Sequence, residues 1–82
     1  MESETVGERI RRVRLSCALT QEELSTLAGM QKATLNRIER GRTSPQQKTI
    51  RRLAEAMKVD PGWLLMGKQV IVRVNGAPTL NQ

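Results

Sequence analysis

Twice in the first 23 residues a threonine is followed three positions later by a glutamate, at Thr5 and Glu8 and again at Thr20 and Glu23. In this spacing the hydroxyl accepts from the glutamate amide while the carboxylate reaches back to the threonine amide, satisfying two orphan donors of a helix start together. Each pair therefore announces a helix, and the chain between them must hold one helix and a turn. After Thr5, the residues Val6, Ile10, Val13 and Cys17 recur at helical spacing and form one apolar face. The pattern predicts helix 1 from about Val6 to Cys17, with Cys17 as a small packing residue and Arg9, Arg11 and Arg12 mostly off that face.

After Thr20, an apolar stripe of Leu24, Leu27 and Ala28 runs to Gly29, which can take the left-handed conformation a sharp turn needs. A third helix follows from about Gln31 to Arg40 and stops at Gly41. Leu35 and Ile38 are its apolar positions, and Ala33 and Thr34 are small and close to the turn. Two short helices joined by a glycine turn, the second polar on its outer face, form the centre of the chain. Arg42 to Gln46 reads as a loop, and Gln47 to Met57 as a helix burying Ile50, Leu53, Ala54 and Met57. Asp60-Pro61 is an N-cap followed by proline at the first helical position, where its missing N–H costs nothing. The short helix that follows carries Trp63, Leu64, Leu65 and Met66 and closes at Gly67. The expected fold is all-α with five helices.

Beyond Gly67 the period changes. Val70, Val72 and Val74 alternate with Ile71 and Arg73, so Gln69 to Val74 reads as a strand. Asn75-Gly76 is a tight-turn signal, but the continuation from Ala77 to Leu80 is short and contains a proline. Two readings stay open: the strand pairs with its copy across a dimer two-fold axis, or the tail folds locally or not at all. On this pattern residues 1–67 are the helical domain and 68–82 an arm.

Composition narrows the function. Eighty-two residues suit one domain and leave no room for a catalytic unit beside a binding unit. Ten Arg and four Lys against eight acids give a formal charge of +6, which suits a polyanion: nucleic acid, or less often an anionic membrane surface. With no His and one Cys, a zinc site of the usual kind cannot be assembled and no internal disulfide can form. No metal or cofactor is expected. No apolar run reaches the length of a membrane span, and the N-terminus is polar and acidic, unlike a signal peptide. A soluble, cytoplasmic protein is expected. Trp63 is the single aromatic residue, too few for the stacking platforms that bind single strands, so duplex DNA is the better partner. Enzymatic chemistry is disfavoured because no nucleophile–base set or phosphate-binding glycine loop is visible; Glu22 and Glu23 read as helix-start charges.

Residues 6–66 resemble the Xre/Cro group of helix-turn-helix regulators, which includes the lambdoid phage repressors. The matching text is VGERIRRVR at 6–14, LTQEEL at 19–24, LAGM at 27–30, TLNRIERG at 34–41 and TIRRLAEAMKVDPGWLL at 49–65. The resemblance implies a lambda-repressor-like domain whose third helix enters the major groove. Gln31, Lys32, Ala33, Thr34, Asn36 and Arg37 then face base edges. Lys32 and Arg37 suit guanine O6 and N7, Gln31 and Asn36 suit adenine, and Ala33 or the Thr34 methyl suits a thymine methyl. The family usually has Ser or Thr where Gln31 stands, so the cap of this helix departs from the pattern.

By the same resemblance Gln21, at a helix N-terminus, touches phosphate, and Arg42, Thr43 and Lys48 grip the backbone, with Arg9 and Arg11 adding to that grip from helix 1. Arg14 and Glu39 are implied to form a partly buried ion pair of the scaffold. Arg51 and Arg52 read as a solvated pair that is less suited to phosphate. One recognition helix covers few base pairs, and family members commonly bind as two-fold dimers to inverted half-sites. Candidate dimer residues are Trp63, Leu64 and Met66 on the last helix and Val70, Val72 and Val74 on the strand. The expected function is sequence-specific transcriptional regulation, by repression, of an inverted-repeat operator. The alternatives are an antitoxin or other interaction protein whose tail binds a partner protein, and a coactivator-like bridge, against which the basic third helix speaks.

Overall fold

The structure, a computed structural model, describes residues 3–68, 72–74 and 77–79. Five helices follow one another: α1 (Val6–Ser16), α2 (Gln21–Ala28), α3 (Lys32–Glu39), α4 (Gln47–Met57) and α5 (Pro61–Met66). Both threonine–glutamate boxes close. The Glu8 amide donates to Thr5 Oγ1 over 3.1 Å and the Thr5 amide to Glu8 Oε1 over 2.9 Å, with the same pair of bonds at 3.0 and 2.9 Å between Thr20 and Glu23. Asp60 caps α5 by accepting from the Trp63 amide at 2.8 Å, just before the proline that opens the helix. Gly29 ends α2 in the left-handed conformation, at φ 69° and ψ 39°, turning the chain sharply into α3.

Ile10, Leu24, Leu35, Ile50, Leu53 and Leu64 are fully buried and knit all five helices into one core. Each is worth about 1.5–3 kcal/mol relative to leaving the side chain in water. α2 packs on α4, α4 on α5, and α1 on both α3 and α5. Gly7 explains how closely α1 approaches α3. A Cβ at this position would collide with the carbonyl oxygen of Ile38 and lie 3.1 Å from that of Glu39.

Three sequence expectations are corrected here. α1 ends at Ser16, one residue early, and Ala18 turns the chain away at φ 58°. Cys17 is therefore exposed rather than packed in the apolar face, its Sγ 4.0 Å from the Met57 carbonyl oxygen. Leu27 is also exposed. On α2 the buried stripe runs through Leu24, Ser25 and Ala28, and Leu27 projects about 100° to one side of it. Ser25 is buried and its hydroxyl donates to the Glu22 carbonyl at 2.9 Å.

At the C-terminus β1 (Val72–Val74) pairs antiparallel with β2 (Ala77–Thr79), Val72 opposite Thr79 and Val74 opposite Ala77. Of the strand expected over Gln69 to Val74, only Val72–Val74 are described, and these pair within the chain; the first half, with Val70, lies outside the described residues.

Candidate nucleic-acid interface

α3 is divided lengthwise. Leu35, Ile38 and Glu39 are buried, whereas Lys32, Ala33 and Arg37 are exposed and Thr34 and Asn36 are half-buried. At about 100° per residue, Ala33, Arg37 and Arg40 point directly away from the core, with Lys32 and Asn36 on the flank nearer α2. Gln31, the residue before the helix, makes no side-chain cap and is exposed, so its amide remains available to a ligand. Arg40 also stands on the outer face and is exposed, a candidate the sequence reading passed over. Its position seven residues after Ala33 and three after Arg37 was the available signal.

Behind this face lies the brace expected from the resemblance. Arg14 donates from Nε to Glu39 Oε2 at 2.7 Å and from Nη2 to Oε1 at 3.0 Å, with the two side chains only 8% and 2% exposed. The third arm of Arg14 donates to the Leu19 carbonyl at 2.9 Å, at the entry to α2. Removing either partner strands a buried charge, which explains why this pair serves the scaffold and not the ligand. Gln21 joins the same network: its Nε2 donates to Glu39 Oε1 at 3.0 Å and its Oε1 accepts from Asn36 Nδ2 at 3.3 Å. Gln21 thus stands at the N-terminus of α2, half-buried, with part of its amide committed inward.

Arg9 does not belong to the surface grip. It is 6% exposed, and its guanidinium donates to the carbonyls of Leu64 at 2.8 Å, Leu65 at 3.4 Å and Glu4 at 3.1 Å. A cation at the carbonyl end of α5 satisfies groups that the helix leaves unpaired. Gly67 makes room for it: a Cβ there would run into the guanidinium. Arg11, Arg42, Thr43 and Lys48 are exposed, as are Arg51 and Arg52 on α4. Arg12 is held by Glu4 at 2.6 and 3.1 Å and lies over the Trp63 ring, 5.8 Å from its centroid. The Arg12 guanidinium holds the Glu4 carboxyl below the usual carboxylate range, and Glu4 raises the pKa of Arg12 in return. Among the described residues Lys32, Arg37, Arg40, Arg42 and Lys48 join no ion pair.

Of the residues expected at a dimer surface, Leu64 is corrected: its side chain is fully buried in the common core of the five helices, and its backbone carbonyl accepts from Arg9. Trp63 is half-buried, and Met66 and its neighbour Leu65 are 58% and 40% exposed.

A short helix with a cationic outer face, reached through a glycine turn and braced from behind by an ion pair, is the arrangement of a helix-turn-helix. The chain belongs to that family, whose sequence model matches residues 10–64. Over 57 residues it is 40% identical to the HTH-type transcriptional repressor RghR of Bacillus subtilis (strain 168), covering 68% of this chain and 42% of that protein. The chain therefore spans about two fifths of the length of that relative. Among solved structures it is similar to the P22 c2 repressor in complex with a synthetic operator, with 29% identity and a TM-score of 0.75 over 80% of this chain and 100% of that one. It is also similar to the restriction-modification controller protein C.AhdI from Aeromonas hydrophila, with 32% identity and a TM-score of 0.71 over 73% of this chain and 91% of that one. The resemblance to the Xre/Cro group and the lambdoid phage repressors stands, and this is a family of DNA-binding transcriptional regulators rather than an enzyme class. No helix among the described residues is long and apolar enough to cross a membrane.

Proposed function

We propose that the chain is a transcriptional repressor that reads duplex DNA by laying α3 in the major groove. The observation that carries this reading is the outer face of α3. Lys32, Ala33, Arg37 and Arg40 stand exposed on a helix whose other side is locked to α1 by the Arg14–Glu39 pair. Lys32 and Arg37 are the leading base contacts, with Gln31, Ala33, Thr34 and Asn36 beside them. Arg11, Arg42, Thr43, Lys48 and the outward part of the Gln21 amide supply phosphate contacts, which set register without reading sequence. The operator complex of the P22 c2 repressor supports the assignment.

The working form is a two-fold dimer on an inverted operator, because one α3 contacts too few base pairs to discriminate alone. The half-buried Trp63 and the exposed Leu65 and Met66 offer an apolar patch on α5 for the contact. The segment 68–82 then serves as an arm on the DNA-binding domain 1–67 and contributes to the same dimer. Deleting residues 69–82 and measuring mass in solution checks the arm: an unaltered dimer removes it from the interface.

Selection of bound sites from random duplex DNA tests the main reading. A two-fold symmetric consensus with half-sites about one helical turn apart is expected. Recovery of no consensus, with equal affinity for all duplexes, refutes sequence-specific repression.

A further inference from the structure

The network behind α3 does more than brace the helix, because it also dictates which way an amide on the reading flank is turned. Glu39 is buried, and its carboxylate, paired with Arg14, only accepts hydrogen bonds. The end of Gln21 that meets Glu39 Oε1 must therefore be the amide nitrogen, at 3.0 Å. That orientation leaves Gln21 Oε1 facing Asn36, and only the amide nitrogen of Asn36 can meet it, at 3.3 Å. Each step removes the ambiguity between the two ends of a carboxamide, starting from a charge pair that admits one arrangement.

The geometry points to Asn36 as a specificity-determining residue whose amide is pre-oriented by Gln21, so that its Oδ1 is presented to an exocyclic amine of a base in the major groove. This inference rests on the reading of α3 as the recognition helix. With one N–H committed to Gln21, Asn36 keeps Oδ1 and a single N–H for the ligand. Adenine N6 and cytosine N4 are the donors such an acceptor fits, whereas the O6 of guanine and the O4 of thymine repel it. A free asparagine would accept either chemistry by flipping. Gln21 makes no base contact in this scheme and acts as a positioning residue.

The experiment uses the full chain and two kinds of duplex. Site selection with wild type and with Asn36→Ala first identifies the base pair that depends on Asn36. A second duplex then lacks the exocyclic amine at that pair, with purine in place of adenine or 2-pyrimidinone in place of cytosine. Wild type is expected to bind the amine-less duplex about tenfold more weakly, while Asn36→Ala binds both duplexes alike. Gln21→Met should lose most of this discrimination, and the double variant should lose no more than either single one. Gln21→Ala repeats the test with a smaller side chain. The ratio of two affinities from one preparation is insensitive to partial unfolding, which lowers both alike, so a merely structural role for Gln21 does not move it. Discrimination that survives in both Gln21 variants overturns the inference, as does a wild type indifferent to the amine. A wild type that prefers no sequence anywhere overturns the repressor reading as well, so the two failures are distinguishable.

Discussion

The arginines of α1 and the cations around α3 are similar in chemistry and opposite in use. On α1, Arg9 caps the carbonyls of α5, Arg12 is clasped by Glu4, and Arg14 is buried against Glu39. Around α3, Lys32, Arg37, Arg40 and Arg42 are exposed and join no ion pair among the described residues. The net charge of +6 is thus spread over both regions. On α1, however, only Arg11 is exposed and joins no ion pair among the described residues, whereas Lys32, Arg37, Arg40 and Arg42 all stay open to a polyanion. What separates them is the placement of acceptors. Glu4, Glu39 and the end of α5 all gather on the α1 side, where they consume the guanidinium groups. A net positive charge attracts a polyanion to the whole molecule; in the function proposed above, the unspent donors mark the face that docks.

The contrast can be broken at several points. The largest effect is expected from Glu39→Ala, which strands the Arg14 guanidinium among buried groups. A stability loss of about 3–5 kcal/mol should appear in urea or guanidinium unfolding. A loss well under 1 kcal/mol would mean that the pair is not the brace it resembles. Arg9→Ala removes charged donors from the α5 carbonyls and should cost about 1.5–3 kcal/mol by the same measurement. Its salt dependence of DNA binding should stay that of wild type. A slope lowered by one unit would return Arg9 to the phosphate-binding surface.

Arg37→Ala sharpens the comparison from the other side. Stability should change little, while the preference for the selected operator over random duplex falls by about 1–3 kcal/mol in competition binding. Equal weakening on both DNAs would move Arg37 from base reading to backbone contact. Arg42→Ala should weaken both DNAs together and flatten the plot of log affinity against log salt by about one unit. An unchanged slope would take Arg42 off the interface.

The smallest effect concerns Glu4. Its carboxyl is held below its ordinary pKa, mainly by its hydrogen bonds with Arg12. A group whose folded pKa is depressed stabilises the fold above its unfolded value and loses that contribution as the pH falls through the folded value. Glu4→Gln should therefore lower the melting temperature slightly at neutral pH, with the difference from wild type closing in acid. The effect stays small because the pair is exposed and screened by solvent. A difference that persists unchanged in acid would argue against the Arg12 contact.

How far the sequence reaches can be judged residue by residue. The helix starts at Thr5, Thr20 and Asp60 and the stop at Gly29 were legible because capping is a bond between residues three or four apart. Ile50, Leu53, Ala54 and Met57 were legible as core because a helical period is a local property. Lys32 and Arg37 were singled out through the family resemblance, and both are exposed, while the helical period held the overlooked signal for Arg40. Cys17 and Leu27 were misread because each lies at the margin of an apolar stripe, where one early helix end or a buried serine decides burial.

The arginines mark the other limit. The helical period sets Arg9 nearer the apolar face than Arg11 but cannot name its partner: Arg9 donates to a carbonyl 55 positions away, and Arg14 meets a carboxylate 25 positions away. Gly7 is similar: beside Thr5 and Glu8 it looks like filler in a capping box, and only the approach of the Ile38 and Glu39 carbonyls shows why no side chain fits. By itself, then, the sequence determined five helices, their turns and the face that α3 turns outward, because these follow from bonds and periods spanning a few residues. The tertiary structure decided which cations are spent within the fold and which remain exposed, because a charge is committed by whichever partner the packing brings beside it.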